Sequence, residues 1–229
     1  MIFLLACAGD APSPSTAALS EPTLWVLTGG EAGGRAGMAV DFAGDLNGDG
    51  SSELLIGAPY ADGAGVVWVL PGQSRPEAPL SLTDSAAALR GSRTGDAAGF
   101  SVAGVGDADG DGIGDVLVGA WGEDTVGTDA GQAWLVAGPI TADAAMEDIG
   151  EPFSAEASYD NLGFTVAGAG DTDGDGLADL LIGAPFHDEG GSRAGIVFLH
   201  TASETTRFIG GRSGDELGQS LSTAGDLNG

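Results

Sequence analysis

Oxygen-bearing side chains recur at a fixed spacing in three nonapeptides of this chain. They are Asp45, Asn47, Asp49 and Glu53 in the first, Asp107, Asp109, Asp111 and Asp115 in the second, and Asp171, Asp173, Asp175 and Asp179 in the third. Each set occupies positions one, three, five and nine of its loop, with glycine at positions four and six. Position seven, filled by Ser51, Ile113 and Leu177, offers a main-chain carbonyl. Carboxylate, amide and carbonyl oxygens in this order make the donor set of a hard cation, and their number suits Ca²⁺ better than Mg²⁺, which demands near-ideal octahedral geometry and keeps its waters. The glycines let the backbone turn tightly enough to bring the oxygens together. One Ca²⁺ per complete loop, three in all, is the expectation. Asp226 and Asn228 begin a fourth copy, and the sequence ends within it.

Other chemistries fit these residues less well. An EF-hand opens in the same way but needs a bidentate Glu at position twelve. Here that position holds Ile56, Val118 and Ile182, all inside apolar runs. The Gly-Gly-x-Gly-x-Asp repeat of calcium-binding β-rolls is absent. Ordinary Asp/Gly turns would not keep four oxygen donors in register three times. The first loop, with an Asn where the others carry a fourth carboxylate, is expected to bind more weakly. Paired acids can serve a glycosidase, but here they cluster in the loops, which already account for them. His187 and His200 lie in different segments without a third metal-ligand partner and read as ordinary surface or edge residues. No Lys and no Gly-x-Ser-x-Gly elbow is present. A non-catalytic protein is expected, the alternative being a propeller that is an accessory or catalytic part of a larger secreted enzyme.

The elements that position the loops follow from their recurrence about every 60 residues. Upstream of the loops, Gly99-Phe-Ser-Val-Ala-Gly-Val-Gly106 matches Gly163-Phe-Thr-Val-Ala-Gly-Ala-Gly170, and Gly37–Gly44 and Gly218–Gly225 are looser copies. Downstream, Leu54-Leu-Ile-Gly-Ala-Pro59 matches Leu180-Leu-Ile-Gly-Ala-Pro185, with Val116–Trp121 in the same place. A third apolar run follows each, over residues 65–70, 131–136 and 195–200, and a less regular fourth precedes the next Gly-Asp turn. Runs of this length, rich in Val, Leu, Ile and aromatics and separated by Gly/Asp turns, are strands. Four strands per unit describe a β-propeller blade. Trp68, Trp134 and Phe198, at one place in the third strand, are expected in the core between blades.

With Gly99-Phe100 and Gly163-Phe164 on one side of the loops and Gly57-Ala-Pro59 and Gly183-Ala-Pro185 on the other, the chain resembles FG-GAP repeat proteins. These repeats build the N-terminal propeller of integrin α-chains, and the resemblance is to a bacterial-type member. It covers roughly residues 23 to 229, with Met38 and Gln219 in place of the Phe and Trp121 in place of the Pro. It implies an all-β, partial β-propeller of about three four-stranded blades plus the start of a fourth. The units are drawn at about 30–91, 92–155, 156–210 and 211–229, the last incomplete. Since the family's propeller is larger, the resemblance also implies a fragment of a longer protein.

Composition sets the remaining bounds. The chain has 34 acidic residues against 7 basic ones, all Arg, for a net charge of -27 at pH 7. No phosphate-neutralising surface can be built from these residues, which excludes nucleic acid as a partner. Twelve of the 34 carboxylates lie in the nonapeptides, counting Asp226 of the fourth copy. The 42 glycines lack a collagen period, and a hydrophobic content of 42% is that of a folded chain. No stretch reaches the length of a membrane-spanning helix. Residues 1–22 read as an apolar signal or lipoprotein-like start followed by a flexible tether, with Cys7, the single cysteine, as the candidate lipidated residue. Export to the extracellular space or cell surface, as an outer-membrane lipoprotein if Cys7 is lipidated, is the resulting expectation. The partner expected for such a module is a protein or glycan ligand, met through the variable stretches Tyr60 to Ala64, Gly122 to Ala130 and Phe186 to Ala194.

Overall fold

The apolar runs fold as strands in a computed structural model, which describes residues 4–5, 26–72 and 79–223. Cys7, Asp226 and Asn228 lie outside the described residues. In chain order the elements are β1 (Leu4–Leu5), β2 (Val26–Thr28), β3 (Ala39–Phe42), β4 (Leu54–Ala58), β5 (Val66–Leu70), β6 (Leu80–Ser81), α1 (Leu82–Ser85) and β7 (Ala87–Arg90). There follow β8 (Ser101–Gly106), β9 (Asp115–Ala120), β10 (Gln132–Val136), β11 (Ala144–Ala145), α2 (Met146–Ile149) and β12 (Gly150–Ser154). The last are β13 (Thr165–Gly170), β14 (Asp179–Ala184), β15 (Ile196–His200) and β16 (Thr205–Ile209).

The described residues are all-β apart from the single turns α1 and α2. Three antiparallel meanders, β3-β4-β5-β7, β8-β9-β10-β12 and β13-β14-β15-β16, follow one another as FG-GAP-type blades. Their inner strands β3, β8 and β13 lie side by side. The sheets form an open row and not a closed ring. The first sheet gains a fifth strand, β11, which comes from the second repeat and pairs in parallel with β7.

The period-two alternation of each strand explains how the sheets pack face to face. In the first sheet Leu55, Val67, Val69 and Leu89 meet Val102, Val116 and Val118 of the second in one core. The intervening Ile56, Val66 and Trp68 turn the other way and pack with Leu27 and Leu82. Leu117 and Ala133 of the second sheet face Val166, Leu180, Ile182 and Ile196 of the third. Both faces of β4, β5 and β9 are therefore buried, which is why these strands read as continuous apolar runs.

The signature glycines are explained by two close approaches. Within a repeat, the glycine before the Phe, or before Met38 in the first repeat, donates to the carbonyl of the glycine in the second strand: Gly37 to Gly57 at 2.9 Å, Gly99 to Gly119 at 3.0 Å and Gly163 to Gly183 at 3.0 Å. Between repeats, the carbonyl of the next such glycine presses on the second strand. A Cβ at Gly57 would stand 2.1 Å from Gly99 O, one at Gly119 2.0 Å from Gly163 O, and one at Gly183 2.4 Å from Gly218 O. No side chain fits there, so glycine is required for packing as well as for turning.

Candidate metal centres

Each nonapeptide joins the first strand of a sheet to the second, so all three lie at the same end of their sheets. The position-one aspartate organises the loop by accepting the main-chain N–H groups of both glycines. Asp45 takes Gly48 at 2.7 Å and Gly50 at 2.8 Å, Asp107 takes Gly110 at 2.6 Å and Gly112 at 2.9 Å, and Asp171 takes Gly174 at 2.7 Å and Gly176 at 3.0 Å. These glycines all have φ between +80° and +93°, the left-handed conformation that side chains disfavour. Positions three and five each accept the N–H two residues on through Oδ1, as in Asp109 to Asp111 at 3.0 Å and Asp111 to Ile113 at 2.7 Å. Asp173, Asp175, Asn47 and Asp49 do the same, the last two toward Asp49 and Ser51.

Position nine begins the second strand, or in the first repeat directly precedes it, and is buried. Glu53, Asp115 and Asp179 are each at most 1% exposed. One oxygen of each accepts the N–H of position two: Leu46 at 2.7 Å, Ala108 at 2.8 Å and Thr172 at 2.7 Å. The other oxygen differs among the loops. Asp115 Oδ1 accepts Gly138 N–H at 2.9 Å, and Glu53 Oε1 accepts Gly72 N–H at 3.3 Å and the Asn47 amide at 3.1 Å. Among the described residues, Asp179 Oδ1 is buried with no hydrogen-bond donor. The difference lies in the turn after the third strand. Gly72 and Gly138 approach the loop so closely that a Cβ would stand 2.0 Å from Ser52 O or 2.5 Å from Ile113 Cγ2. The third repeat has Ala202 at that place, and its N–H makes no bond to Asp179.

Positions one, three and nine converge in two of the loops. Ligand oxygens of Asp107, Asp109 and Asp115 lie within 4.8 Å of one another, as do those of Asp171, Asp173 and Asp179. Asp111 and Asp175 stand outside these triads. The first loop forms no such carboxylate triad among the described residues, because its third position is Asn47, whose amide is tied to Glu53. Burial pushes the Asp115 carboxyl above its ordinary range, opposed by the Gly138 and Ala108 N–H groups and reinforced by Asp109 and Asp111. Asp45 is held below its ordinary range, chiefly by the Gly50 N–H. A divalent cation among three carboxylates would neutralise this repulsion and give Asp179 Oδ1 a partner. The residues therefore fit a calcium ion.

A further polar cluster lies at the opposite end of the sheets, unmarked by any motif. His187, expected on the surface, is 8% exposed. It follows the second strand of the third repeat at the place Glu123, also buried, holds in the second. Its Nδ1 accepts Glu189 N–H at 3.2 Å, which leaves the proton on Nε2 to donate to Glu156 Oε2 at 3.3 Å. Arg207 bridges Glu156 at 3.1 Å and Glu189. Although ligand atoms of Glu156, His187 and Glu189 also converge within 4.8 Å, the guanidinium already supplies the positive charge there and the imidazole tautomer is turned against a metal. Burial at this end raises the Asp96 and Asp160 carboxyls above their ordinary range. Only tertiary contact revealed this cluster.

Comparison with known proteins agrees with the repeat architecture. The family model described as FG-GAP repeat matches residues 36–70 and 162–200. The second repeat falls outside both ranges, yet its strands keep the same register around Trp121. The chain is 39% identical over 97 residues to integrin alpha pat-2 of Caenorhabditis briggsae, covering 42% of this chain and 8% of that protein. It is 37% identical over 101 residues to integrin alpha-8 of Gallus gallus, covering 42% of this chain and 10% of that one. It is also 34% identical over 175 residues to phosphatidylinositol-glycan-specific phospholipase D of Bos taurus, which covers 71% of this chain and 20% of that protein. The chain thus spans a small part of the relatives it matches. It carries FG-GAP repeats and is homologous, over part of its length, to integrin alpha chains.

Proposed function

We propose that this chain is a calcium-binding, non-catalytic propeller module that acts outside the cell in adhesion or in binding a protein or glycan ligand. The observation that carries the calcium assignment is Asp179 Oδ1, fully buried without a donor and drawn together with Asp171 and Asp173. A buried unpartnered carboxylate oxygen is costly, and a cation removes that cost. Main-chain oxygens of Ser51, Ile113 and Leu177, with Asp111, Asp175 and Asp49, complete the donor sets. Ligand contacts are assigned to the loops joining second and third strands, at the end opposite the cations. There Tyr60 and Val126 are exposed. Among the described residues no helix is long and apolar enough to cross a membrane. Equilibrium dialysis of the full chain tests the calcium assignment: three bound Ca²⁺ ions are expected, and none bound at millimolar concentration would overturn it. Glycan and protein arrays probed with the calcium-loaded chain test the binding role.

A second reading rests on the match to the bovine phospholipase D, whose name is that of an enzyme and which covers more of this chain than the integrins do. In that reading the repeats are the accessory or catalytic propeller of a larger secreted enzyme. Hydrolase activity in the full-length gene product, lost on mutating an acid outside the cation loops, would favour it.

A further inference from the structure

The connections that lead into the three inner strands run in register. Leu27 lies ten residues before Gly37, as Leu89 lies before Gly99 and Phe153 before Gly163. On that register Gly34 stands where the later repeats carry Asp96 and Asp160. After the second strand, Ala61 stands where they carry Glu123 and His187. The later residues are buried polar fillers: Asp96 and Glu123 are each 5% exposed, Asp160 is 4% and His187 8% exposed. The main chain around them is the same in all three repeats. Tyr60 N–H donates to Gly34 O at 3.2 Å, Gly122 N–H to Asp96 O at 3.2 Å and Phe186 N–H to Asp160 O at 3.4 Å. A Cβ at Gly34 would stand 3.1 Å from the Ala61 Cβ, so these two positions face each other. The first repeat keeps the frame and lacks both side chains that fill it.

A cavity of about 260 Å³ opens at that place, with Gly34 and Ala61 in its wall. Ala58 and Trp68 add apolar surface, and Glu31, Asp62 and Arg90 add polar surface. The polar groups hold one another in position. Asp62 N–H donates to Glu31 Oε2 at 2.8 Å, and Arg90 pairs with Asp62 and, at 3.3 Å, with Asp143. Arg90 and Asp62 keep 39% and 55% of their side chains exposed, so the cavity meets solvent beside them. Glu31 Oε1 and Asp62 Oδ1 accept no hydrogen bond among the described residues.

We propose that this cavity binds a single neutral sugar ring, a pyranose residue of a glycan. The mixed charge selects against ions, since an anion would meet Glu31 and Asp62 and a cation would meet the Arg90 guanidinium. Hydroxyl groups suit both signs. They donate to the free carboxylate oxygens and accept from the N–H groups that Arg90 retains beyond its two ion pairs. The C–H face of the ring packs on Ala58 and Trp68. The volume lies below the range of drug-sized pockets, about 300–1,000 Å³, which limits the occupant to one ring. This inference rests on the glycan-binding role proposed above and gives it a site and a ligand class; it does not depend on the cation sites.

Titration of the full chain with the methyl pyranosides of glucose, galactose, mannose and N-acetylglucosamine, followed by NMR, tests the site. The Trp68 indole N–H and the Ala61 methyl resonances are expected to shift with at least one of them at millimolar concentration. Asp62→Asn suits the left-handed backbone at this position, φ +52°, and removes one charged acceptor; it is expected to weaken that binding about tenfold. Glu31→Arg/Ala61→Glu rebuilds the Arg93–Glu123 pair of the second repeat inside the cavity and is expected to abolish binding. Unweakened binding in either variant would overturn the site and leave the glycan role standing, as would glycan-array binding without shifts at Trp68 and Ala61. Silence of both the array and these resonances would overturn the site and the glycan role together. Equal shifts from choline or acetate would overturn the assignment of a neutral ligand.

Discussion

Replacing Asp179 by Asn isolates the cation's contribution at a single site. Without calcium the wild-type carboxylate is fully buried, with Oδ2 satisfied by Thr172 and Oδ1 unpartnered, at a cost of about 1–3 kcal/mol. The asparagine keeps an oxygen for Thr172 and removes the buried charge, so the metal-free variant should be as stable as the wild type or more so. Calcium is expected to reverse the order. Extracellular modules bind with dissociation constants of about 10⁻⁴ to 10⁻³ M. At about 10 mM calcium, preferential binding to the folded state then contributes about 1.4–2.7 kcal/mol per site. For about 200 structured residues this is a rise of about 3–6 °C in melting temperature for each site. Calorimetry in EDTA and in calcium should show a full three-site shift for the wild type and a shift smaller by one such increment for Asp179→Asn. A variant that keeps the whole shift would refute the role of Asp179. A metal-free variant destabilised by several kcal/mol would refute the reading of its oxygen as unpartnered.

Gly119→Ala should destabilise the chain by about 1–3 kcal/mol or more, since its Cβ would meet Gly163 O at 2.0 Å and Ser101 Oγ at 2.3 Å; an unchanged urea midpoint would show that the two repeats do not approach so closely. Titration calorimetry of single-loop knockouts should rank the first loop weakest, because Asn47 replaces a carboxylate and is tied to Glu53; equal or tighter binding there would contradict the charge ranking. In EDTA, stability should rise on acidification. Burial raises the Asp96 and Asp160 carboxyls above the ordinary aspartate value. The stabilisation they contribute is complete below that value and is lost as pH climbs through the raised folded values. Urea midpoints at about pH 4.5 should therefore exceed those at about pH 7.5, and Asp96→Asn should flatten the difference. A steeper decline on acidification would refute the sign.

Much of the fold was legible because a propeller blade repeats both its core and its turns. A strand buried on both faces shows as an unbroken apolar run, as in Leu54–Ala58 and Val116–Ala120, and a loop that must turn twice shows its glycines. The acidic positions of the loops were legible for the same reason, since their side chains keep a strict spacing. What escaped the sequence depends on distant partners. His187 and Glu123 look like loop residues, and only the neighbouring connection buries them. β2 and β11 are too short to carry a period, and each is specified by the strand it joins.

By itself the sequence determined the strand pattern, the repeat and the oxygen-bearing positions of the acidic loops, because all three are local and periodic. Only the tertiary structure decided that position nine is a buried clasp on position two, since the residue that satisfies its second oxygen lies one strand away. Gly72 and Gly138 supply that N–H in two repeats, and Ala202 withholds it in the third. The signature glycines divide in the same way. Those in the loops answer to a backbone angle, whereas Gly57, Gly119 and Gly183 answer to a carbonyl from the next repeat, which no local spacing reveals.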